Sequence, residues 1–150
     1  MTINYNQIVQ ELYVGTVPRL IQDVELLKRE CAISAVLNLQ TDEDMLWYNV
    51  DWPSIQQYYN SCQIQAWRTP VRDFDPEDLK NKVWHCAATL DSIIRAGHRT
   101  YLHCTAGINR SPTVAIAYLY RYRGYDLNTA IKMMLDCRSC DPCMDALKIG

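Results

Sequence analysis

The segment Thr100–Pro112, T-Y-L-H-C-T-A-G-I-N-R-S-P, constrains this chain more tightly than any other. Thr100 to His103 is a short apolar run suited to a buried strand. Cys104 to Arg110 then turns through small residues, and a helix is expected from Pro112 to Arg123, ended by Gly124. A strand that feeds a tight loop and then a helix is one unit of a strand–helix alternation. The rest of the chain repeats it. Strands are expected at 13–15, 33–39 and 64–69, and helices at 20–30, 53–61 and 127–137. Another helix is expected from Pro76 to Arg95, with Asp75 as N-cap and acids in its first turn. Two stretches carry no such expectation: the polar N-terminus up to Tyr13, and the acidic, aromatic run from Gln40 to Trp52. The pattern predicts an α/β fold in which a single domain, residues 1–150, has a central, mostly parallel, twisted sheet flanked by helices.

The turn after Cys104 suits an anion. Backbone N–H groups of His103, Thr105, Ala106, Gly107, Ile108 and Asn109 can converge there, and a helix N-terminus adds partial positive charge. Gly107 lets the backbone bend closely, and the planar fork of Arg110 can hold two phosphate oxygens at once. The same surroundings favour a nucleophilic thiolate at Cys104. Such a thiolate attacks phosphorus to give a phosphocysteine, and Ser111 is placed to donate a hydrogen bond to the leaving sulfur when water attacks. His103 is expected to orient the loop rather than transfer protons. The leaving oxygen needs an acid. Arg72-Asp73-Phe74-Asp75 offers two carboxylates, and since Asp75 serves as the helix cap, Asp73 is the expected acid.

Composition narrows the partners. The net charge of -2 gives no reason to expect nucleic acid or an anionic membrane. No apolar run reaches the roughly 18 residues of a membrane span, and the start of the chain lacks a leader pattern, so a cytoplasmic location is expected. Seven cysteines, an odd number, favour reduced thiols. Cys137, Cys140 and Cys143 have metal-ligand spacing but no nearby histidine, so neither metal nor cofactor is expected, and a regulatory disulfide at Cys140 is a lesser alternative. Cys31, Cys62 and Cys86 are expected to be buried. Trp67, Trp84, Tyr118, Tyr120 and Tyr122 are expected to pack in the core.

H-C-T-A-G-I-N-R-S resembles the signature of the dual-specificity phosphatases, and Asp73 sits where that family carries its acid. The resemblance runs from Tyr13-Val14-Gly15 to about Lys148. Within the family, Leu39-Gln40-Thr41-Asp42, Trp47-Tyr48, Arg72-Asp73-Phe74-Asp75 and Cys104-Thr105-Ala106-Gly107 are most similar to glucan phosphatases of the laforin and starch-excess type and their bacterial relatives. The resemblance implies that Trp47, Tyr48 and Phe74 bind substrate by packing against sugar rings, and that the substrate is a phosphorylated glucan. The wider family implies an alternative, a phosphoprotein carrying phosphotyrosine or phosphoserine/threonine. One departure is Asn109, where glucan phosphatases generally have glycine before the signature arginine. Asparagine tolerates left-handed backbone better than most residues.

Overall fold

The computed structural model describes residues 2–148. Five strands, β1 (Tyr5–Val9), β2 (Leu12–Gly15), β3 (Ala35–Asn38), β4 (Gln65–Arg68) and β5 (Thr100–His103), form one sheet in the order β1-β2-β5-β3-β4. Only β1 is antiparallel to its neighbour; β2, β5, β3 and β4 run parallel. The helices are α1 (Ile21–Cys31), α2 (Asp42–Trp47), α3 (Trp52–Ser61), α4 (Pro76–Arg95), α5 (Arg110–Tyr122) and α6 (Leu127–Cys137), followed by a 3-10 turn at Met144–Leu147. None of them is long and apolar enough to cross a membrane.

Alternating side chains divide the sheet between two cores, as the pleat requires. Leu12, Val14, Ala35, Leu37 and Leu102 join residues of α4, α5 and α6 on one face. Tyr13, Val36 and Tyr101 join α1 and α3 on the other. The central strand β5 is wholly buried, and its last residue, His103, lies level with Gly15 of β2 and Asn38 of β3. The loops leaving these three strands therefore emerge side by side at the carboxyl edge of the sheet, where open parallel sheets bind ligands.

Helix α4 starts as its sequence dictates: Asp75 accepts a hydrogen bond from the Asp78 N–H at 3.0 Å, and Pro76 occupies the first turn. Helix α5 begins two residues earlier than expected, because the Asn109 carbonyl already accepts from the Thr113 N–H at 3.1 Å. Pro112 then falls inside the first turn, where its missing N–H costs nothing. The left-handed residue of the loop is Gly107, at φ 67°, whereas Asn109 has φ −118° and needs no special tolerance.

Several expectations are corrected. The N-terminal stretch contains β1, which pairs along the outside of β2. The run from Gln40 to Trp52 contains α2, held by a reciprocal cap: the Asp44 N–H donates to Thr41 Oγ1, and the Thr41 N–H donates to Asp44 Oδ2, both at 3.1 Å. Trp67 is not a core residue. Strand β4 is the sheet edge, so Trp67 stays exposed and its ring meets His98 edge-on at 5.9 Å. Cys62 is only partly buried because it sits at the C-cap of α3. Tyr118 is buried and Tyr120 half-buried, while Tyr122, at the end of α5, is exposed. Trp84 is half-buried against Tyr120 and Arg121.

Candidate active site

Cys104 follows the last residue of β5 and is 3% exposed, with its Sγ 3.3 Å from Ser111 Oγ. Arg110, at the first turn of α5, is 2% exposed, and its guanidinium is held from several sides. Nη1 donates to Asp44 Oδ2 at 2.7 Å and to the Val71 carbonyl at 2.8 Å; Nη2 donates to Thr105 Oγ1 at 3.3 Å and lies 3.3 Å from Asp73 Oδ2. Thr105 Oγ1 in turn accepts from Gln40 Nε2 at 2.8 Å. Nε of Arg110 is buried and has no partner among the described residues. An orphaned buried donor costs about 1–3 kcal/mol, so the side of the guanidinium formed by Nε and Nη2 is poised for an anionic oxygen. Cys104, Ala106, Ile108, Asn109, Arg110 and Asp73 line a cavity of about 190 Å³ at this point.

His103 is almost fully buried, and its Nδ1–H donates to the Cys104 carbonyl at 2.8 Å. Burial pushes its pKa down from 6.5 to about 4; the hydrogen bond opposes the shift and the Arg110 charge adds to it. The ring is therefore neutral near pH 7, and its Nδ1–H is committed to the loop backbone. A stability consequence follows. As pH falls, the unfolded chain takes up the proton first, so the contribution of neutral His103 is full above pH 6.5 and is lost progressively towards pH 4. The shift corresponds to on the order of 3 kcal/mol. Urea unfolding at pH 7 and pH 4.5 should show a steeper loss for the native chain than for His103→Asn; parallel losses would contradict the assignment.

The two carboxylates of the acid loop occupy different places. Asp75 caps α4 and pairs with Arg72 at 3.0 Å. Asp73 instead reaches the Arg110 guanidinium, while its Oδ1 accepts from the Phe74 N–H at 3.1 Å. Phe74, next in the chain, has left-handed backbone at φ 57° and a side chain that is 95% exposed. A non-glycine residue there costs about 1–2 kcal/mol, a strain of the kind that clusters at functional loops.

Helix α2 brings a residue that sequence reasoning missed. Asp44 is at once the capping carboxylate of α2 and the closest charge partner of Arg110. Trp47, one turn further on, is 81% exposed, and Tyr48 follows it at the helix end. Trp47, Tyr48 and Phe74 line a second cavity, of about 270 Å³, with Thr41, Asp44 and Asp73. The three aromatic residues singled out in the sequence thus share one groove, which meets the Cys104 cavity at Asp73 and Phe74. Cys137, Cys140 and Cys143 are half-buried free thiols, and no three His, Cys, Asp or Glu side chains converge as a metal site among the described residues.

Residues 12–144 match the family described as "Dual specificity phosphatase, catalytic domain". The chain is 37% identical over 148 residues to "Phosphoglucan phosphatase DSP4, amyloplastic" of Castanea sativa, covering 97% of this chain and 39% of that protein. It is 24% identical over 135 residues to "Laforin" of Mus musculus, covering 83% of this chain and 41% of the relative. It thus spans about two-fifths of the length of these two relatives. Among solved structures, human DUSP28 superposes with a TM-score of 0.72 at 25% identity, covering 95% of this chain and 89% of that one. PTPMT1, at 18% identity and a TM-score of 0.77 over 95% and 88% of the two chains, shares the fold. A match over residues 12–144, nearly the whole length and including the loop from Cys104 to Arg110, places this chain in the dual-specificity phosphatase catalytic-domain family.

Proposed function

We propose that this chain is a cysteine-dependent phosphatase that hydrolyses phosphate monoesters of a phosphorylated glucan through a phosphocysteine intermediate. The observation that carries the reading is the convergence of Cys104, Asp73 and Arg110, whose Nε has no partner among the described residues, on one cavity. Phosphate oxygens fill the Nε and Nη2 donors of Arg110 and displace the Asp73 carboxyl group, which takes its proton from solvent on leaving the guanidinium, towards the ester oxygen. The Cys104 thiolate then attacks phosphorus as the P–O bond to the sugar breaks, and the departing oxygen takes the proton of Asp73. In the second step Asp73 removes a proton from water, which attacks phosphorus. The P–S bond breaks, and the sulfur leaves as a thiolate that accepts a hydrogen bond from Ser111. His103, Thr105, Ala106, Gly107, Ile108 and Asn109 form the cradle.

The glucan assignment is supported by the groove of Trp47, Tyr48 and Phe74, whose flat apolar faces match the C–H faces of sugar rings. The name of the Castanea sativa relative, a phosphoglucan phosphatase, points the same way. Trp47→Ala and Tyr48→Ala test it, since they remove binding energy remote from the reacting atoms. Turnover of a small aryl phosphate should stay within about twofold, or roughly 0.4 kcal/mol, while phosphate release from phosphorylated glucan should fall tenfold or more. Equal losses on both substrates would make the pair structural. No release from glucan by the native chain, beside brisk phosphopeptide turnover, would make it a protein phosphatase.

A further inference from the structure

Arg138, directly after α6, lies in the cysteine-rich stretch Cys137–Cys143, yet it is 6% exposed and reaches behind the phosphate loop. Its Nε donates to the Gly107 carbonyl at 2.7 Å, Nη2 to the Ala106 carbonyl at 3.2 Å, and Nη1 to Asn6 Oδ1 at 3.1 Å. No carboxylate pairs with it among the described residues. A buried cation without a counter-charge is costly, and structures keep one only where something offsets the cost. Here two backbone carbonyls face it, and the candidate anion site lies on the far side of the same two peptides.

The peptide bonds of the loop are trans, so each N–H points opposite to the carbonyl of its own peptide unit. Turning the Ala106 and Gly107 carbonyls back towards Arg138 therefore turns the N–H groups of Gly107 and Ile108 the other way. The next carbonyl continues the pattern: Ile108 O accepts from the Asp141 N–H at 2.7 Å, which fixes the Asn109 N–H. Three successive carbonyls are thus gripped by one C-terminal stretch, and three successive donors are released from it. Gly107 fits this grip closely. At φ 67°, a Cβ there would stand 2.6 Å from the Gly15 carbonyl oxygen and 2.7 Å from Arg138 Nη2.

We propose that Arg138 is a positioning residue for the phosphate loop. It holds the Ala106 and Gly107 carbonyls away from the cavity, so that the Gly107 and Ile108 N–H groups are aimed at the phosphate before it arrives, and its charge sits behind the peptides that carry them. The inference rests on the phosphate-binding reading of the loop.

The test uses the full chain with inorganic phosphate as probe. Phosphate should inhibit aryl phosphate turnover competitively in the native chain, and should shift the Gly107 and Ile108 amide resonances. Arg138→Met should raise the phosphate inhibition constant at least thirtyfold and lower kcat/KM on the aryl ester about a hundredfold. Arg138→Lys keeps the charge and the stem, but one ammonium does not reproduce the fork across both carbonyls. It should recover part of the loss, remaining at least fivefold weaker than native for phosphate, with a reduced Gly107 and Ile108 response. If Arg138→Met does not fold, the lysine variant and the native amide shifts carry the test. A folded Arg138→Lys with phosphate inhibition and kcat within twofold of native would overturn the role of Arg138 alone. A native chain that phosphate neither inhibits nor perturbs at Gly107 and Ile108 would overturn the phosphatase reading, and this inference with it.

Discussion

Cys104→Ser should lower turnover of a small aryl phosphate by about four orders of magnitude or more, roughly 5.5 kcal/mol of transition-state stabilisation, while leaving inorganic phosphate bound. Serine is close to cysteine in size, and the groups proposed to hold the anion are elsewhere: the loop N–H groups, and Arg110 with its supports Asp44, Val71 and Thr105. Serine removes the nucleophile because its hydroxyl stays protonated at neutral pH, with no base to activate it. His103 does not fill that role: its Nδ1–H is committed to the Cys104 carbonyl, and its Nε2 has no hydrogen-bond partner, Cys104 Sγ included, among the described residues. Activity should also be insensitive to chelators. A Cys104→Ser chain that keeps even a tenth of the native rate would contradict the account.

Asp73→Asn should reduce kcat/KM for alkyl phosphates by about a thousandfold, and for aryl phosphates with good leaving groups by about tenfold or less. A phenolate departs without much help, whereas a sugar alkoxide requires a proton. Across a series of leaving groups, the native chain should depend weakly on leaving-group basicity and the variant steeply. Asp75→Asn is the control that separates the two carboxylates. Asparagine caps helices as well as aspartate does, so the variant should lose little stability and should show no selective loss on alkyl esters. If Asp75→Asn gives the steep dependence instead, the roles of the two residues are exchanged.

Local signals account for what was legible in the sequence. The strand, turn and helix around Cys104 sit in one continuous segment, and their chemistry follows from neighbours in the chain. Helix α4 was legible for the same reason: Asp75, Pro76 and the acids after them act within one turn. What escaped depends on distance. Asp44 meets Arg110 across 66 residues of sequence, and nothing in T-D-E-D announces that its last carboxylate serves an arginine as well as its own helix cap. Helix α2 is too short to show an apolar period, and β1 exists because β2 offers it an unpaired edge. Trp67 has the composition of a core residue and stands exposed only because β4 ends the sheet. Arg138 was hidden by the cysteines around it, which drew attention to metal spacing. Its contacts at Ala106 and Gly107 become visible only when α6 is folded against the loop. The aromatic groove lies between these cases. Trp47, Tyr48 and Phe74 were singled out by resemblance, and their meeting in one cavity depends on α2 and the acid loop packing side by side.

The covalent intermediate is the claim on which the rest depends, and Ser111→Ala gives the most direct access to it. Ser111 Oγ is 3.3 Å from the sulfur, and in the proposed mechanism its hydroxyl assists departure of the thiolate in the second step, so the alanine variant should form the phosphoenzyme and release it slowly. The decisive measurement is a rapid-quench experiment on that variant with a phosphorus-labelled aryl phosphate, followed by peptide mapping. The account predicts label on Cys104, approaching one phosphoryl group per chain in the steady state, and none when Cys104→Ser is added. Continued turnover with no label on the protein, or label on any other residue, would contradict it.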